Sequence, residues 1–166
     1  MRITDDYVFF WKGFMSQWAK SDFVEGTVKF NCAEQYMMYK KAMLFEDTDI
    51  AQQILNVSHP AEQKALGRKV KNYDNDVWED NRYNIVFTGN ILKFTQNPDL
   101  ERQLLDTKYD NKELVEASPY DKIWGIAMFE DDDGVEDKRN WKGLNLLGEV
   151  ITHVRKVLIE AKLDLE

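Results

Sequence analysis

The residues of this chain best suited to chemistry are two carboxylates, Glu116 and Asp121, with Trp124 close behind. They lie in Glu116-Ala117-Ser118-Pro119-Tyr120-Asp121-Lys122-Ile123-Trp124-Gly125. A pair of acids can exchange protons with a substrate, and an indole offers a flat stacking face. Leu114-Val115 leads in and Ile126-Ala127-Met128-Phe129 leads out, so the loop joins two apolar, strand-like runs. Pro119 prevents a helix from forming across it. Loops of this kind on a rigid scaffold line pockets. The same residues also describe a surface turn anchored by a buried tryptophan, and both readings stand at this point.

A second set begins at Glu34. Lys41 follows it by seven residues, which on a helix is two turns and ~10.5 Å of rise, so both point the same way. Met37 and Met38 lie between them. An amine against apolar atoms has a lowered pKa and becomes a usable nucleophile. The plainer alternatives are a first-turn acid favoured by the helix dipole and a surface lysine beside a core stripe. Arg68 in Gly67-Arg68-Lys69 suits a bidentate phosphate contact, or is simply an exposed helix end. Gly143-Leu144-Asn145-Leu146-Leu147-Gly148 puts glycines around a helix start. Its free N–H groups can bind an anion or a sugar hydroxyl, or form an ordinary cap. Trp78 and Arg82, a turn apart, can stack or pack. Cys32 reads as a small buried residue. His59 beside Pro60 reads as part of a helix start, and neither it nor His153 receives a role.

The elements that must position these residues are short. The stretch 7–30 alternates aromatic and polar residues around Gly13 and Gly26, which predicts two or three strands, with Val28-Lys29-Phe30 returning as a hairpin. Helical spacing then predicts a helix over 32–45 with Asn31 as its cap. Its apolar face would be Ala33, Tyr36, Met37, Lys40 and Leu44. Further helices are expected over 48–57, 60–71 with Pro60 in the first turn, 74–96, 98–106 and 145–163. In 74–96, Trp78, Ile85 and Leu92 recur every seven residues, and Gly89 suggests a close helix crossing. In the last helix Leu147, Val150, Ile151, Val154 and Leu158 follow the spacing of an amphipathic core helix. The fold class expected is mainly α, with a few short strands, as one compact domain over 1–166.

Composition narrows the function. The 166 residues are 43% hydrophobic and carry a net charge of -8, which fits a globular domain and opposes broad binding to a nucleic-acid backbone. The single cysteine, Cys32, cannot build a disulfide framework, and with His59 and His153 it forms no zinc-ligand spacing. Met1 to Tyr7 lacks the features of a signal peptide, and no apolar run approaches the ~20 residues of a membrane span. A cytoplasmic protein without membrane contact is expected. The acidic run 130–137 reads as a solvated loop, with metal binding as the sharper alternative.

Taken in order, these pieces resemble the NADAR superfamily, which includes the YbiA-like N-glycosidases. Phe10-Trp11-Lys12-Gly13-Phe14-Met15-Ser16-Gln17-Trp18 is similar to a diverged form of the family's aromatic opening. Ala33-Glu34-Gln35-Tyr36-Met37-Met38-Tyr39-Lys40-Lys41-Ala42 resembles its E-H-x-(Y/F)-x-x-x-K-A helix, with Gln35 where histidine is usual. Ala65-Leu66-Gly67-Arg68 and Lys93-Phe94-Thr95-Gln96-Asn97-Pro98-Asp99-Leu100 resemble two further elements. The Glu116 to Gly125 loop and Gly143 to Gly148 complete the series, and the 130–137 run resembles a variable insertion.

The resemblance implies a multihelical fold with a pocket for a ribose-phosphate compound and cleavage of an N-glycosidic bond, with no cofactor and no metal. Its two substrate branches are ADP-ribose on guanine and ribosylamino-pyrimidine phosphates of early riboflavin synthesis. Breaking the C1–N bond builds an oxocarbenium-like cation that carboxylates stabilise. The resemblance implies that Glu34, Lys41, Glu116, Asp121, Trp124 and Asn145 converge on the pocket, and this chemistry suggests Glu34 for that role or as general base and Asp121 as the ribose-orienting group or acid. Lys41 would attack C1 to form a Schiff base. Trp124, Glu116, Gly125, Asn145, Gly148, Arg68 and Trp18 would bind the substrate. The departure at Gln35 also admits a non-catalytic module that binds ADP-ribose or an NAD-type nucleotide.

Overall fold

The structure is a computed structural model that describes residues 1–166. The chain folds into two compact units, residues 17–98 and residues 1–16 with 99–166. The class is mainly α with short strands, and no helix is long and apolar enough to cross a membrane.

The first unit, 17–98, starts with an antiparallel hairpin of β1 (Phe23–Glu25) and β2 (Val28–Phe30), turned at Gly26, whose φ of 60° suits glycine. Four helices follow: α1 (Ala33–Leu44), α2 (Thr48–Leu55), α3 (Pro60–Gly67) and α4 (Asn75–Thr95). α1 is central and packs against the other three. Its cap is Cys32, not the expected Asn31: the thiol sulfur accepts the Gln35 N–H at 3.4 Å. The Asn31 side chain instead bonds Ser58 O and Gln63. The ends of α2 and α3 fall short of expectation. Asp47 caps α2, His59 caps α3 by accepting the Ala61 N–H, and Asp74 caps α4.

The faces differ from the sequence expectation in a way that bears on function. The first half of α1 is buried on every side, Glu34 and Gln35 included. On α3 the buried residues are Gln63 and Gly67, while Ala61 and Ala65 are exposed. On α4 the buried line runs through Trp78, Val86, Gly89, Asn90, Lys93 and Phe94. Ile85 and Leu92, expected in the core, are half-buried against the cluster of Phe23, Phe30 and Tyr36. Gly89 does mark a close crossing: a Cβ there would lie 2.6 Å from the Tyr36 ring. The Gln96 side chain completes the hairpin. Its amide accepts the Val24 N–H and donates to Val24 O, both at 2.9 Å, as a third strand would.

The second unit holds a three-stranded sheet. β3 (Arg2–Ile3) pairs antiparallel with β4 (Tyr7–Phe10), and β4 pairs parallel with β5 (Glu113–Glu116). α5 (Pro98–Leu104) leads into the unit, and α6 (Leu146–Leu163) packs on β5. The five apolar positions expected on α6 are all buried. The run 126–129, expected as a strand, is irregular. Ala127 has φ of 54°, and one bond, from Ile126 N to Glu116 O, ties the run to β5. Its Ile126 and Met128 still enter a core with Phe9, Val115, Ala117 and Val135. Val135 anchors the acidic 130–137 loop to that core, and Glu130 and Glu136 bind the N-terminal amine and Arg2.

Candidate active site

In the unit of residues 17–98, Glu34, Lys41 and Arg68 come together. Glu34 is 4% exposed in the first turn of α1, and its N–H donates to Gln17 O at 2.9 Å. Two turns on, Lys41 is half-buried. Its Nζ lies 4.8 Å from the centre of the Tyr73 ring and 5.6 Å from that of Trp78. Burial pushes the Lys41 amine below the ordinary lysine value. The Glu34 carboxylate pulls it back up, and the Arg68 guanidinium pushes it down. Glu34 and Arg68 therefore both act electrostatically on Lys41. Arg68 reaches this place because α3 ends close against α1. A Cβ on Gly67 would overlap the Met38 sulfur, so a larger residue there would require the Met38 side chain to move.

Gln35 takes no part in that set. Its Oε1 accepts the Asn31 N–H at 2.7 Å, and its Nε2 donates to Ile54 O and Val57 O. It fastens the start of α1 to the end of α2, a task a neutral amide performs without a titratable group. Trp18 is 45% exposed and meets the His59 ring edge-on at 6.1 Å.

A buried polar layer lies behind Glu34. The Cys32 thiol donates to Gln63 Oε1 at 3.2 Å, and the Gln63 amide donates to Asn31 and to Val57 O. Asn90 donates to Gln17 Oε1 and Val86 O. Lys93 is fully buried. Burial lowers its amine to about 7, opposed by Cys32, and raises the Cys32 thiol to about 11. Lys93, Gln17 and Asn90 were not singled out from sequence. The available signal was that Val86, Asn90 and Lys93 share one face of α4, at spacings of four and three.

In the other unit the Asp121 carboxylate is tied to its own loop. Asp121 Oδ1 accepts N–H bonds from Ile123 at 2.9 Å and Trp124 at 2.8 Å. It shapes the loop and fixes Trp124, which is half-buried. The loop is then stitched to the segment before α6. Leu144 N, Asn145 N, Leu146 N and Leu147 N donate to the carbonyls of Lys122, Gly125, Ile123 and Trp124. Gly143 fits against the backbone of Gly125 and Lys122, and Gly125 against Glu116 O, Ser118 and Asp121 O.

Asn145 is 1% exposed, with a left-handed φ of 54°. Its Oδ1 accepts the Glu116 N–H at 2.9 Å and its Nδ2 donates to Leu114 O at 3.2 Å. Thr152 Oγ1 accepts the Leu114 N–H at 3.0 Å. Side chains on or next to α6 thus occupy the edge of β5 that no strand covers. Gly148 has no room for a Cβ beside Leu114 O and Asn145. The Asp121 side chain therefore spends its bonds on its own loop and the Asn145 side chain on β5, where substrate contacts were expected of both. No group of three His, Cys, Asp or Glu side chains is arranged to hold a metal ion.

The model of the NADAR domain matches residues 9–159. The chain belongs to the NADAR domain family. Among its relatives is a protein of Acanthamoeba polyphaga mimivirus named N-glycosidase, 40% identical over 92% of this chain and 96% of that protein. Protein irg-1 of Caenorhabditis elegans is 44% identical over 81% of this chain and 63% of that protein. A riboflavin biosynthesis protein of Vibrio vulnificus is 30% identical over 81% of this chain but only 33% of its own length. The fold is that of the Escherichia coli protein YbiA, whose NMR structure aligns with a TM-score of 0.76 over 98% of this chain and 90% of that one, at 24% identity.

Proposed function

We propose that this NADAR chain is an N-glycosidase that cleaves the C1–N bond of a ribose-phosphate compound. The observation that carries the reading is the set of Glu34, Lys41 and Arg68 on α1 and α3. It puts a buried carboxylate, a partly desolvated amine and an exposed guanidinium within electrostatic reach. Family membership and the N-glycosidase name of a relative that matches nearly end to end support it.

Each group has a task in such a reaction. The neutral Lys41 amine attacks C1 and forms a new C1–N bond, while the bond to the base breaks and its electron pair leaves with the base. Asp121 or a water supplies the proton that the leaving nitrogen needs. Glu34 stabilises the cationic character at C1 as the old bond opens. Proton loss from the lysine nitrogen and opening of the ribose ring give an imine. Water then hydrolyses it, releasing the sugar and restoring the amine. Trp124 stacks on the base or the sugar face, and Arg68 takes the phosphate as a bidentate donor. Gln35 leaves all of these groups in place, because its amide is committed to backbone atoms.

The substrates to test are ADP-ribosylated guanine in DNA and a ribosylamino-pyrimidine phosphate. Release of ADP-ribose or ribose phosphate by the wild-type protein, and its loss in Glu34→Gln with an unchanged melting temperature, is the expected result. A melting shift with ligand but no product would make the chain a binding module. Full activity of Glu34→Gln would remove Glu34 from the reaction.

A further inference from the structure

Lys41 lies on α1, two turns after Glu34. The structure brings two rings from elsewhere onto its amine, and one is built in with care. Tyr73 follows Asn72, a non-glycine residue held at φ of 60°, and precedes Asp74, the cap of α4. A left-handed residue directly before a capped helix start fixes where the tyrosine side chain leaves the backbone. The ring is then held at two further points. Its hydroxyl donates to Asn75 Oδ1 at 2.9 Å. Its edge meets Phe45, the cap residue at the end of α1, at 5.4 Å between ring centres and an interplanar angle of 61°. Phe45 N donates to Lys41 O, so the ring that braces Tyr73 belongs to the same turn as the lysine. On the other side Trp78, 8% exposed, closes the space 5.6 Å from Nζ.

We propose that Tyr73 and Trp78 form an aromatic clamp that fixes the position of the Lys41 amine, and that Tyr73 is therefore a positioning residue of the reaction. The inference rests on the imine role given to Lys41 above. A four-carbon side chain has many rotamers, and a nucleophile must hold one of them to meet C1. Two rings at 4.8 and 5.6 Å attract an ammonium through their negative faces and restrict where the nitrogen can sit. The charged and titratable groups acting on Lys41 are then accounted for by element: Glu34 on α1, Arg68 at the end of α3 and Tyr73 before α4. The clamp and Glu34 favour the ammonium, while burial and Arg68 favour the free amine. Once the proton leaves, the cationic attraction ends, and the bulk of the two rings around Nζ still limits where the neutral nitrogen can sit.

Tyr73 is 44% exposed, so its replacement leaves the core intact. Tyr73→Leu keeps apolar cover over the amine and removes the ring. Tyr73→Phe keeps the ring and removes only the bond to Asn75. The direct measurement needs no substrate: the rate of acetylation of Lys41 as a function of pH, read by peptide mass spectrometry in the full chain. Loss of a ring face weakens the ammonium, so the labelling midpoint of Tyr73→Leu should fall by about half a unit to one unit, while Tyr73→Phe stays at the wild-type value. With a turned-over substrate, kcat of Tyr73→Leu should drop about tenfold with KM nearly unchanged, and Tyr73→Phe should restore it. An unshifted or raised midpoint in Tyr73→Leu, or an equal shift in Tyr73→Phe, overturns the clamp. If the midpoint moves as stated but no N-ribosyl substrate is cleaved, the clamp stands and the N-glycosidase reading fails.

Discussion

Asn145 carries the sharpest stability prediction. Replacing it with alanine removes the acceptor of the Glu116 N–H and the donor to Leu114 O in a place only 1% exposed. An orphaned buried N–H costs about 1–3 kcal/mol, and the second bond contributes about 1 kcal/mol. Alanine at φ of 54° adds about 1 kcal/mol of backbone strain that asparagine tolerates better. The sum is about 3–5 kcal/mol, which for a chain of this size lowers the melting temperature by roughly 8–15 °C. Urea unfolding followed by circular dichroism measures it directly. Asn145→Gly loses the same two bonds but no longer strains the backbone. It should therefore be more stable than Asn145→Ala by about 1 kcal/mol. A loss below about 1 kcal/mol for Asn145→Ala, or a glycine variant less stable than the alanine one, would refute the lock between β5 and α6.

Other consequences can be measured alongside. Lys93 has a folded-state pKa of about 7 against an unfolded value of 10.5. The unfolded chain therefore binds more protons at Lys93 between these values, and stability should rise with pH from about 7 to about 9, above which the Cys32 thiol, raised from 9.0 to about 11, opposes the gain. Lys93→Met should flatten that slope in urea titrations across this range, and an unchanged slope would contradict the burial. Gly89→Ala gains about 1 kcal/mol in helix propensity but drives a Cβ to 2.6 Å from a Tyr36 ring held by Glu25, Phe23 and Phe30. Crowding should win, for a net loss of about 1–2 kcal/mol by the same assay. Asp121→Asn keeps an oxygen for the Ile123 and Trp124 N–H groups. It should hold its melting temperature within a degree or two while losing activity about a hundredfold if the carboxyl group handles a proton.

What the sequence revealed depended on whether a residue acts through its neighbours in the chain or through distant ones. The pattern of α6 was readable because its five apolar positions face a single layer. The α4 pattern misled, because Ile85 and Leu92 obey a seven-residue repeat while the buried line passes through Asn90 and Lys93. Polar residues in a core carry no hydropathy signal. They became visible only with their partners, Gln17 for Asn90 and Cys32 for Lys93. Glu34 and Lys41 were legible as a pair two turns apart, and Arg68 as a phosphate candidate. The action of Arg68 on Lys41 came with Gly67, whose missing side chain lets α3 close on Met38. Tyr73 was beyond reach, since no local spacing connects it to a lysine thirty-two residues earlier. The 126–129 run read as a strand from its apolar residues, yet its buried side chains are held without a ladder because Ala127 turns the backbone.

The central claim is that Lys41 is the nucleophile of an N-glycosidase. Sodium borohydride added during turnover of an N-ribosyl substrate, followed by peptide mass spectrometry, tests it most directly. A reduced sugar adduct on Lys41 is predicted, abolished together with turnover in Lys41→Arg and retained in Lys40→Arg. Product formation with no adduct on Lys41, or undiminished turnover in Lys41→Arg, would contradict it.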